Sequence, residues 1–237
     1  MMSAVQTITA DFEASNAPIR KNSIAVRNLV KDYHTPTGTA HVLKGISFDV
    51  KAGEKVAILG RNGAGKSTLV KLVGGVERPT SGFIYRGMSM SWPIAFGGGF
   101  EPTMTGLDNI RFIARLYGQP IRETIERVDD FAELGKHLMS PVKSYSSGMR
   151  ARLAFALTLA IDFDCFLIDE VISVGDQRFQ RKSHEALFEK RKHCAMILIS
   201  HDIGIIRSYC DRAVVLKAGR SRVFDDLEFA IQIYSAL

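Results

Sequence analysis

The chain has 237 residues, of which 46% are hydrophobic and 24% are charged. These values are typical of a globular protein and exclude a disordered or low-complexity chain. Lysine and arginine (31) outnumber aspartate and glutamate (25), so the formal net charge is +6. This excess suits anionic ligands or an anionic membrane surface but does not identify either.

The sequence predicts neither a membrane span nor a signal peptide. Its most apolar uninterrupted stretch, residues 153–161, has nine residues, whereas a spanning helix needs about 20. Residues 1–22 lack a basic start and an apolar centre, so we expect a polar N-terminal tail. Cys165, Cys194 and Cys210 fit no CxxC spacing and cannot all pair, which favours free thiols in a reducing compartment.

The N-terminal part of the chain predicts strands. Short β-rich runs occupy residues 24–26, 46–50 and 55–59, and turn formers such as Pro36 and Gly38 separate them. A mixed sheet is therefore expected to begin here.

Helical periodicity replaces the strand pattern after residue 104. Thr105 and Asp108 form a capping-box pattern at the start of one helix, and a second helix follows from Ile121. These elements predict a helical insertion over about residues 100–160.

Strands return at 165–168, 195–199 and 213–216, with an amphipathic helix containing Phe179 between the first two, and this alternation indicates an α/β fold.

The strongest chemical signal is a phosphate-binding loop of the form GxxxxGK[ST] between a predicted strand and a predicted helix. Glycines let backbone N–H groups turn toward phosphate oxygens, and the helix N-terminus adds a positive dipole end. Lys66 would meet the β/γ-phosphates of a bound nucleotide, and Ser67 would hold Mg²⁺. The candidate nucleotide-binding residues are Gly60, Arg61, Asn62, Gly63, Ala64, Gly65, Lys66, Ser67 and Thr68.

Two adjacent carboxylates follow the apolar run at residues 165–168. The carboxyl ends of strands form the ligand-binding edge of an α/β sheet. Asp169 is the candidate for the Mg²⁺ shell, and Glu170 is the candidate base for the water that attacks the γ-phosphate. Without the phosphate loop, such a pair would equally fit a solvated strand end.

Further motifs resemble those of ATP-binding cassette (ABC) ATPases. Residues 145–150 (YSSGMR) are similar to the LSGGQ signature, with Ser146 and Gly148 retained, although a helix cap alone could explain such a turn. Residues 173–176 (SVGD) resemble the D-loop, and His201 resembles the switch histidine that reaches the γ-phosphate. Tyr33 occupies the place where the family puts an aromatic ring against adenine, although an isolated tyrosine is more often a core residue.

The resemblance spans about residues 24–220 and implies a fold and an assembly. The fold is α/β, a P-loop NTPase of the ABC ATPase type, with a mixed sheet core, an antiparallel β subdomain and a helical insertion. Residues 23–237 would form one nucleotide-binding domain. The resemblance also implies a homodimer in which Ser146 and Gly148 of one copy meet the ATP bound to the other.

One difference from the usual family pattern indicates which branch of the family this sequence resembles. The glutamine that the family usually carries near position 96 is missing, and residues 92–100 (WPIAFGGGF) are rich in glycine. This segment, with residues 33–38 and 91–93, is similar to the ATPases of bacterial capsular polysaccharide exporters, and O-antigen and teichoic-acid export ATPases are the close alternatives. The resemblance implies a peripheral subunit on the cytoplasmic face of the inner membrane, docked on a separate integral-membrane permease that handles a polysaccharide or glycolipid. No nucleic-acid partner is expected.

Two functions of other classes remain open at this point. A soluble cassette ATPase would usually carry two cassettes or a long coiled coil, and the sequence has neither. A P-loop kinase could use residues 100–160 as a lid, but the signature, the D-loop and His201 argue against it.

Overall fold

The computed structural model describes residues 21–94, 100–169 and 176–237. Backbone packing divides these residues into two units. The first unit contains residues 21–90, 164–169 and 193–237, and the second contains residues 91–94, 100–163 and 176–192.

A three-stranded antiparallel sheet lies in the first unit. β1 (Ser23–Thr35) pairs with β2 (Gly38–Lys51) on one side and with β4 (Ser81–Arg86) on the other. The tight connection at residues 36–37 agrees with the turn formers in the sequence. This is the antiparallel β subdomain that the resemblance implied.

A five-stranded sheet forms the rest of the strand content in the described part of the chain. Its strands are β3 (Lys55–Gly60), β5 (Cys165–Asp169), β6 (Ala195–Ile199), β7 (Arg212–Lys217) and β8 (Arg220–Phe224). The order is β5-β6-β3-β7-β8, and β8 alone runs antiparallel to its neighbour. The central strands are continuous apolar runs because both of their faces are buried.

Three helices accompany the sheets in the first unit: α1 (Lys66–Val73), α6 (Ile203–Tyr209) and α7 (Leu227–Ser235). One core cluster contains Phe48 from the antiparallel sheet, Leu69 from α1 and Ile197 from the parallel sheet. The helix that follows the phosphate loop is therefore fixed by the main core.

The second unit is helical. It contains α2 (Gly106–Leu116), α3 (Ile121–Ala132), α4 (Ser147–Ala160) and α5 (Gln177–His184), with short helical turns at Gly135–Met139, Val142–Ser144 and Glu185–Glu189. The rings of Phe131, Phe155 and Phe179 pack with centroids 5.6–6.1 Å apart and join α3, α4 and α5. The unit is thus wider than residues 100–160, because α5 packs with it.

The structure contains some elements that the sequence predicts and others that it does not. Thr105 is the predicted N-cap, since its hydroxyl accepts a hydrogen bond from the Asp108 N–H at 3.0 Å and donates one to the Asp108 carboxylate at 2.7 Å. The strands β4 and β8 were not predicted, because both are edge strands with mixed burial. The helices α6 and α7 were not predicted either. The three cysteines are free, as expected, and the structure shows that all three are buried.

No helix within the described ranges combines the length and the apolar character that crossing a bilayer requires.

Candidate functional site

The candidate nucleotide site lies at one edge of the five-stranded sheet. β5, β6, β3 and β7 run parallel, so their carboxyl ends share this edge, and Asp169 pairs with Ile199 in the register. The phosphate loop follows β3, Asp169 ends β5, and His201 comes two residues after β6. The topology therefore brings together three motifs that are far apart in the sequence.

Glycines shape the phosphate loop. Gly63 and Gly65 have φ angles of +80° and +103°, in the left-handed region that favours glycine, and Gly65 is the N-cap of α1. A Cβ atom at Gly60 would lie 2.7 Å from the Leu216 carbonyl oxygen of the adjacent strand β7. The loop can therefore close tightly between β3 and α1 and present backbone N–H groups to an anion.

Lys66 begins α1 and turns back over the loop. Its Nζ donates hydrogen bonds to the carbonyl oxygens of Gly60 at 2.7 Å and of Arg61 at 3.3 Å. The ammonium group is thereby held at the mouth of the loop, where the β- and γ-phosphates of a nucleotide bind in loops of this type.

The residues at the start of α1 and at the end of β5 fit a magnesium ion. Ser67 is exposed in the first turn of α1, which packs against β5, and Asp169 is the half-buried last residue of that strand. A hydroxyl and a carboxylate are hard oxygen ligands, and Mg²⁺ usually binds to one or two protein oxygens together with substrate phosphates and water.

Tyr33 lies beside the start of α1. Its hydroxyl donates a 2.6 Å hydrogen bond to Oε2 of Glu77 and also contacts the Thr68 hydroxyl. The Lys31 ammonium lies 4.8 Å from the ring centroid. Burial raises the pKa of Tyr33, and the hydrogen bond to Glu77 raises it further. The ring is therefore fixed near the phosphate loop as a neutral phenol.

His201 is exposed between β6 and α6. The next residue, Asp202, caps α6, and its carboxylate accepts hydrogen bonds from the N–H groups of Gly204 at 2.8 Å and Ile205 at 3.2 Å. On the other side, the imidazole Nδ1 lies 3.2 Å from the Tyr234 hydroxyl of α7. The cap therefore fixes the backbone that follows His201, and Tyr234 contacts the imidazole itself.

The signature residues lie in the second unit. Ser146 is the N-cap of α4, and its hydroxyl accepts a hydrogen bond from the Met149 N–H at 3.2 Å. The helix begins at Ser147, so Gly148 falls in its first turn. A helix N-terminus with a serine and a glycine is a suitable anion site.

Hydrogen bonds fix the chain just before the signature. The buried Tyr145 donates its hydroxyl proton to the His137 carbonyl oxygen at 2.6 Å, and Arg150 donates to the Tyr145 carbonyl oxygen at 2.7 Å. The position of Ser146 is therefore set by the helical unit rather than by a free loop.

Some candidate residues lie outside the described ranges. The proposed base Glu170 and most of the D-loop are among residues 170–175, and the glycine-rich segment around Phe96 is among residues 95–99. The last residue of the D-loop motif, Asp176, is described. It caps α5, and its carboxylate accepts from the Phe179 N–H at 2.9 Å and pairs with Arg152 at 2.6 Å.

Two residues of this site have no signal in the sequence. Glu77 lies beyond the end of α1, and the phosphate-loop motif does not extend that far. Tyr234 lies on α7, a helix that the sequence pattern does not predict. A search for capped amphipathic segments could have found α7, because Asp226 caps it and accepts from the Phe229 N–H at 3.0 Å.

Comparisons with known proteins identify the family to which the chain belongs. The family model described as ABC transporter matches residues 43–173. The ATP-binding protein BexA of Haemophilus influenzae is 55% identical over 212 residues, which cover 90% of this chain and 98% of the relative. The capsule polysaccharide export ATP-binding protein CtrD of Neisseria meningitidis is 53% identical over 214 residues, which cover 90% and 99%.

A relative from O-antigen export has a lower sequence identity to this chain than BexA and CtrD have. An O-antigen export system ATP-binding protein, RfbB of Klebsiella pneumoniae, is 39% identical over 196 residues, which cover 81% of this chain and 80% of the relative. Among solved structures, an ATP-binding subunit of an ABC transporter matches with a TM-score of 0.73 and 26% identity, and the match covers 89% of this chain and 94% of that one.

These matches define the class of protein: the chain belongs to the ABC transporter family. It is an ATPase of this class, and the expected α/β cassette fold is confirmed. Within the family, it is more similar to the capsule polysaccharide export ATP-binding protein CtrD than to the O-antigen export protein RfbB.

Proposed function

We propose that this chain is the ATP-hydrolysing subunit that powers export of a capsular polysaccharide across the inner membrane through a separate permease. The observation that carries this proposal is the identity of more than half with BexA and CtrD over nearly the whole of each chain. The O-antigen relative is markedly less similar. The chain would therefore work as a peripheral subunit on the cytoplasmic face of that membrane.

The described geometry supports roles in ATP hydrolysis for several residues, and the role of Glu170 rests on its place in the sequence. Lys66 neutralises charge on the β- and γ-phosphates, and the N–H groups of the glycine-rich loop bind their oxygens. Ser67 and Asp169 would hold Mg²⁺, which would supply positive charge to offset the negative charge of the phosphates. Glu170 accepts a proton from the attacking water, and His201 donates a hydrogen bond to the γ-phosphate. The ring of Tyr33 stacks against the adenine.

The site is completed by a second copy of the chain. Ser146 and Gly148 belong to the helical unit, whereas the phosphate loop belongs to the unit that contains the sheets. In the homodimer, the α4 N-terminus of one copy contacts the γ-phosphate bound to the other copy. ATP then adds negative charge between two positive sites, which favours the closed dimer, and hydrolysis releases it.

A face of α2 is the proposed contact with the permease. Phe112 and Leu116 are one helical turn apart, and their side chains are 54% and 64% exposed. Tyr117 follows them directly, and its ring packs on Trp92 and Phe163 with centroids 5.7 and 5.4 Å away. Large exposed apolar residues beside a fixed aromatic cluster are typical of a docking surface.

The test is deletion of the gene in its own host, followed by return of the wild-type chain or the Lys66→Ala variant. We expect surface capsule to disappear, polysaccharide to accumulate inside the cell, and the wild-type chain alone to restore export. Loss of O-antigen or teichoic acid with intact capsule would favour those alternatives. If no surface glycan changes and the chain stays in the soluble fraction when its permease is present, it acts as a soluble ATPase instead.

A further inference from the structure

The C-terminal helix contacts the switch histidine directly. Tyr234, near the end of α7, places its hydroxyl oxygen 3.2 Å from Nδ1 of His201. Tyr234 is half-buried on this helix. The contact joins the nucleotide site to a helix to which no motif assigns a role.

Several contacts fix α7 at this position. Ala230 and Ile231 are buried, and the helix packs against β7 and β3. Arg207 of α6 forms a bidentate pair with Glu228 of α7, with distances of 2.8 and 3.0 Å. His201 lies two residues before the start of α6, and Tyr234 lies on α7. The ion pair between Arg207 and Glu228 therefore holds together the two helices that carry or adjoin these residues.

The same C-terminal segment also reaches the phosphate loop. The Arg61 guanidinium donates a hydrogen bond to the main-chain oxygen of Leu237 at 3.1 Å. The segment that carries Tyr234 therefore contacts both the histidine and the loop, and it lies at the rim of the nucleotide site.

The chemistry of the contact concerns which imidazole nitrogen carries the proton. A γ-phosphate oxygen only accepts hydrogen bonds, so the histidine must present an N–H to it. When the Tyr234 hydroxyl donates to Nδ1, a neutral imidazole carries its proton on Nε2, and Nε2 becomes the donor. In the other tautomer, Nδ1 carries the proton and the Nε2 lone pair faces the phosphate.

We propose that Tyr234 is a positioning residue for ATP hydrolysis, which holds His201 in the Nε2–H tautomer and in the orientation that contacts the γ-phosphate. This inference rests on the proposed role of His201. Tyr234 does not touch the nucleotide and acts through the histidine, as partners of metal-bound histidines do through the second ring nitrogen.

The first test is steady-state ATP hydrolysis by the full chain. Removing one neutral hydrogen bond in Tyr234→Phe should lower kcat by about 3- to 10-fold with little change in KM. His201→Gln should lower kcat by about 10²-fold or more. The double variant should be no slower than His201→Gln, since the tyrosine acts through the histidine. Tyr85→Phe, which removes a tyrosine hydroxyl from β4, is the matched control and should leave kcat unchanged.

The second test reads the tautomer itself. The chain has six histidines, so ¹⁵N-histidine labelling gives a tractable spectrum, and the signals that disappear in His201→Gln assign His201. We expect the wild type to show the Nε2–H pattern of ¹⁵N shifts, and Tyr234→Phe to move both nitrogens toward a tautomer average.

The outcomes separate this inference from the proposed function. Unchanged kcat or unchanged ¹⁵N shifts in Tyr234→Phe would overturn the role of Tyr234 and leave that of His201 standing, provided that His201→Gln is inactive. Full turnover in His201→Gln would instead contradict the proposed role of the histidine and this inference with it. An equal loss from Tyr234→Phe with and without His201 would mean a structural role and would also overturn the inference.

Discussion

The phenol of Tyr33 donates a 2.6 Å hydrogen bond to the Glu77 carboxylate, and this bond fixes the ring that we assign to adenine. Lys31 and Lys71 each lie 3.4 Å from a Glu77 oxygen, so the carboxylate is held by two cations as well as by the phenol. A residue beyond the C-terminal end of α1 thus orients a ring that lies beside the start of that helix.

The Glu77 network gives a pH-dependent stability. The hydrogen bond from Tyr33 is the main reason why the pKa of Glu77 lies below its ordinary value of 4.5. Folding therefore favours the ionised form, so this stabilisation is complete above pH 4.5 and is lost as the pH falls through the lower folded-state pKa. Glu77→Gln should lower Tm near neutral pH, and the difference in Tm between the variant and the wild type should become smaller in acid. A difference that stays constant on acidification would contradict this explanation.

Lys66→Ala should remove the charge at the β- and γ-phosphates. We expect turnover to fall by about 10²- to 10³-fold or more, the loss typical of one donor to transition-state charge, with ATP affinity also reduced. Tm of the nucleotide-free protein should change little, because Lys66 is only partly buried. ATPase assays and nucleotide titration measure both effects. Lys51→Ala, at the exposed end of β2, is the control, and normal turnover in Lys66→Ala would exclude the phosphate-loop assignment.

Ser146→Ala separates capping from catalysis. Ser146 and Thr105 both cap helices of the second unit by accepting a backbone hydrogen bond, at 3.2 and 3.0 Å. Each alanine variant should lose about 1 kcal/mol of stability, which lowers Tm by about 2–4 °C for a chain of this size. Only Ser146→Ala should also reduce ATP turnover, because only Ser146 is proposed to contact the nucleotide of the second copy. Equal activity in the two variants would leave Ser146 as a cap alone.

Phe112 and Leu116 test the permease contact. Replacing both with aspartate should abolish co-fractionation with permease-containing membranes while basal ATP hydrolysis remains, because neither residue belongs to the nucleotide site. Phe83→Asp is a matched control, since Phe83 lies on β4 of the other unit with a similar 52% exposure. Membrane binding that survives the double substitution, or that is equally lost in Phe83→Asp, would contradict docking through α2.

Glu170→Gln tests the composite site. Without the proposed base, hydrolysis of ATP by the variant should slow by about 10²-fold or more while MgATP still binds, so the closed dimer should accumulate. Light scattering with and without MgATP measures this change, and adding Ser146→Arg should prevent it. A variant that stays monomeric at saturating ATP, even with its permease supplied, would show that this protein does not use a shared site.

The local motifs were readable from the sequence because short-range chemistry dictates them. The phosphate loop needs glycines at positive φ followed by a helix that begins at Lys66, and all of these requirements lie within nine consecutive residues. The Thr105 cap is equally local. The apolar runs predicted β5 and β6, because buried parallel strands are apolar on both faces.

Only the tertiary structure decided which residues orient the site. Glu77 reaches Tyr33 across 44 positions, and Tyr234 reaches His201 across 33. Neither pair follows a repeat or a spacing rule, because both contacts depend on how helices pack against the sheets. The sequence by itself determined the groups that we assign to phosphate binding, through the backbone geometry that those residue types permit. Packing decided how the aromatic ring and the imidazole are held, because a side chain's neighbours across the core are set by the whole fold and not by its own stretch of chain.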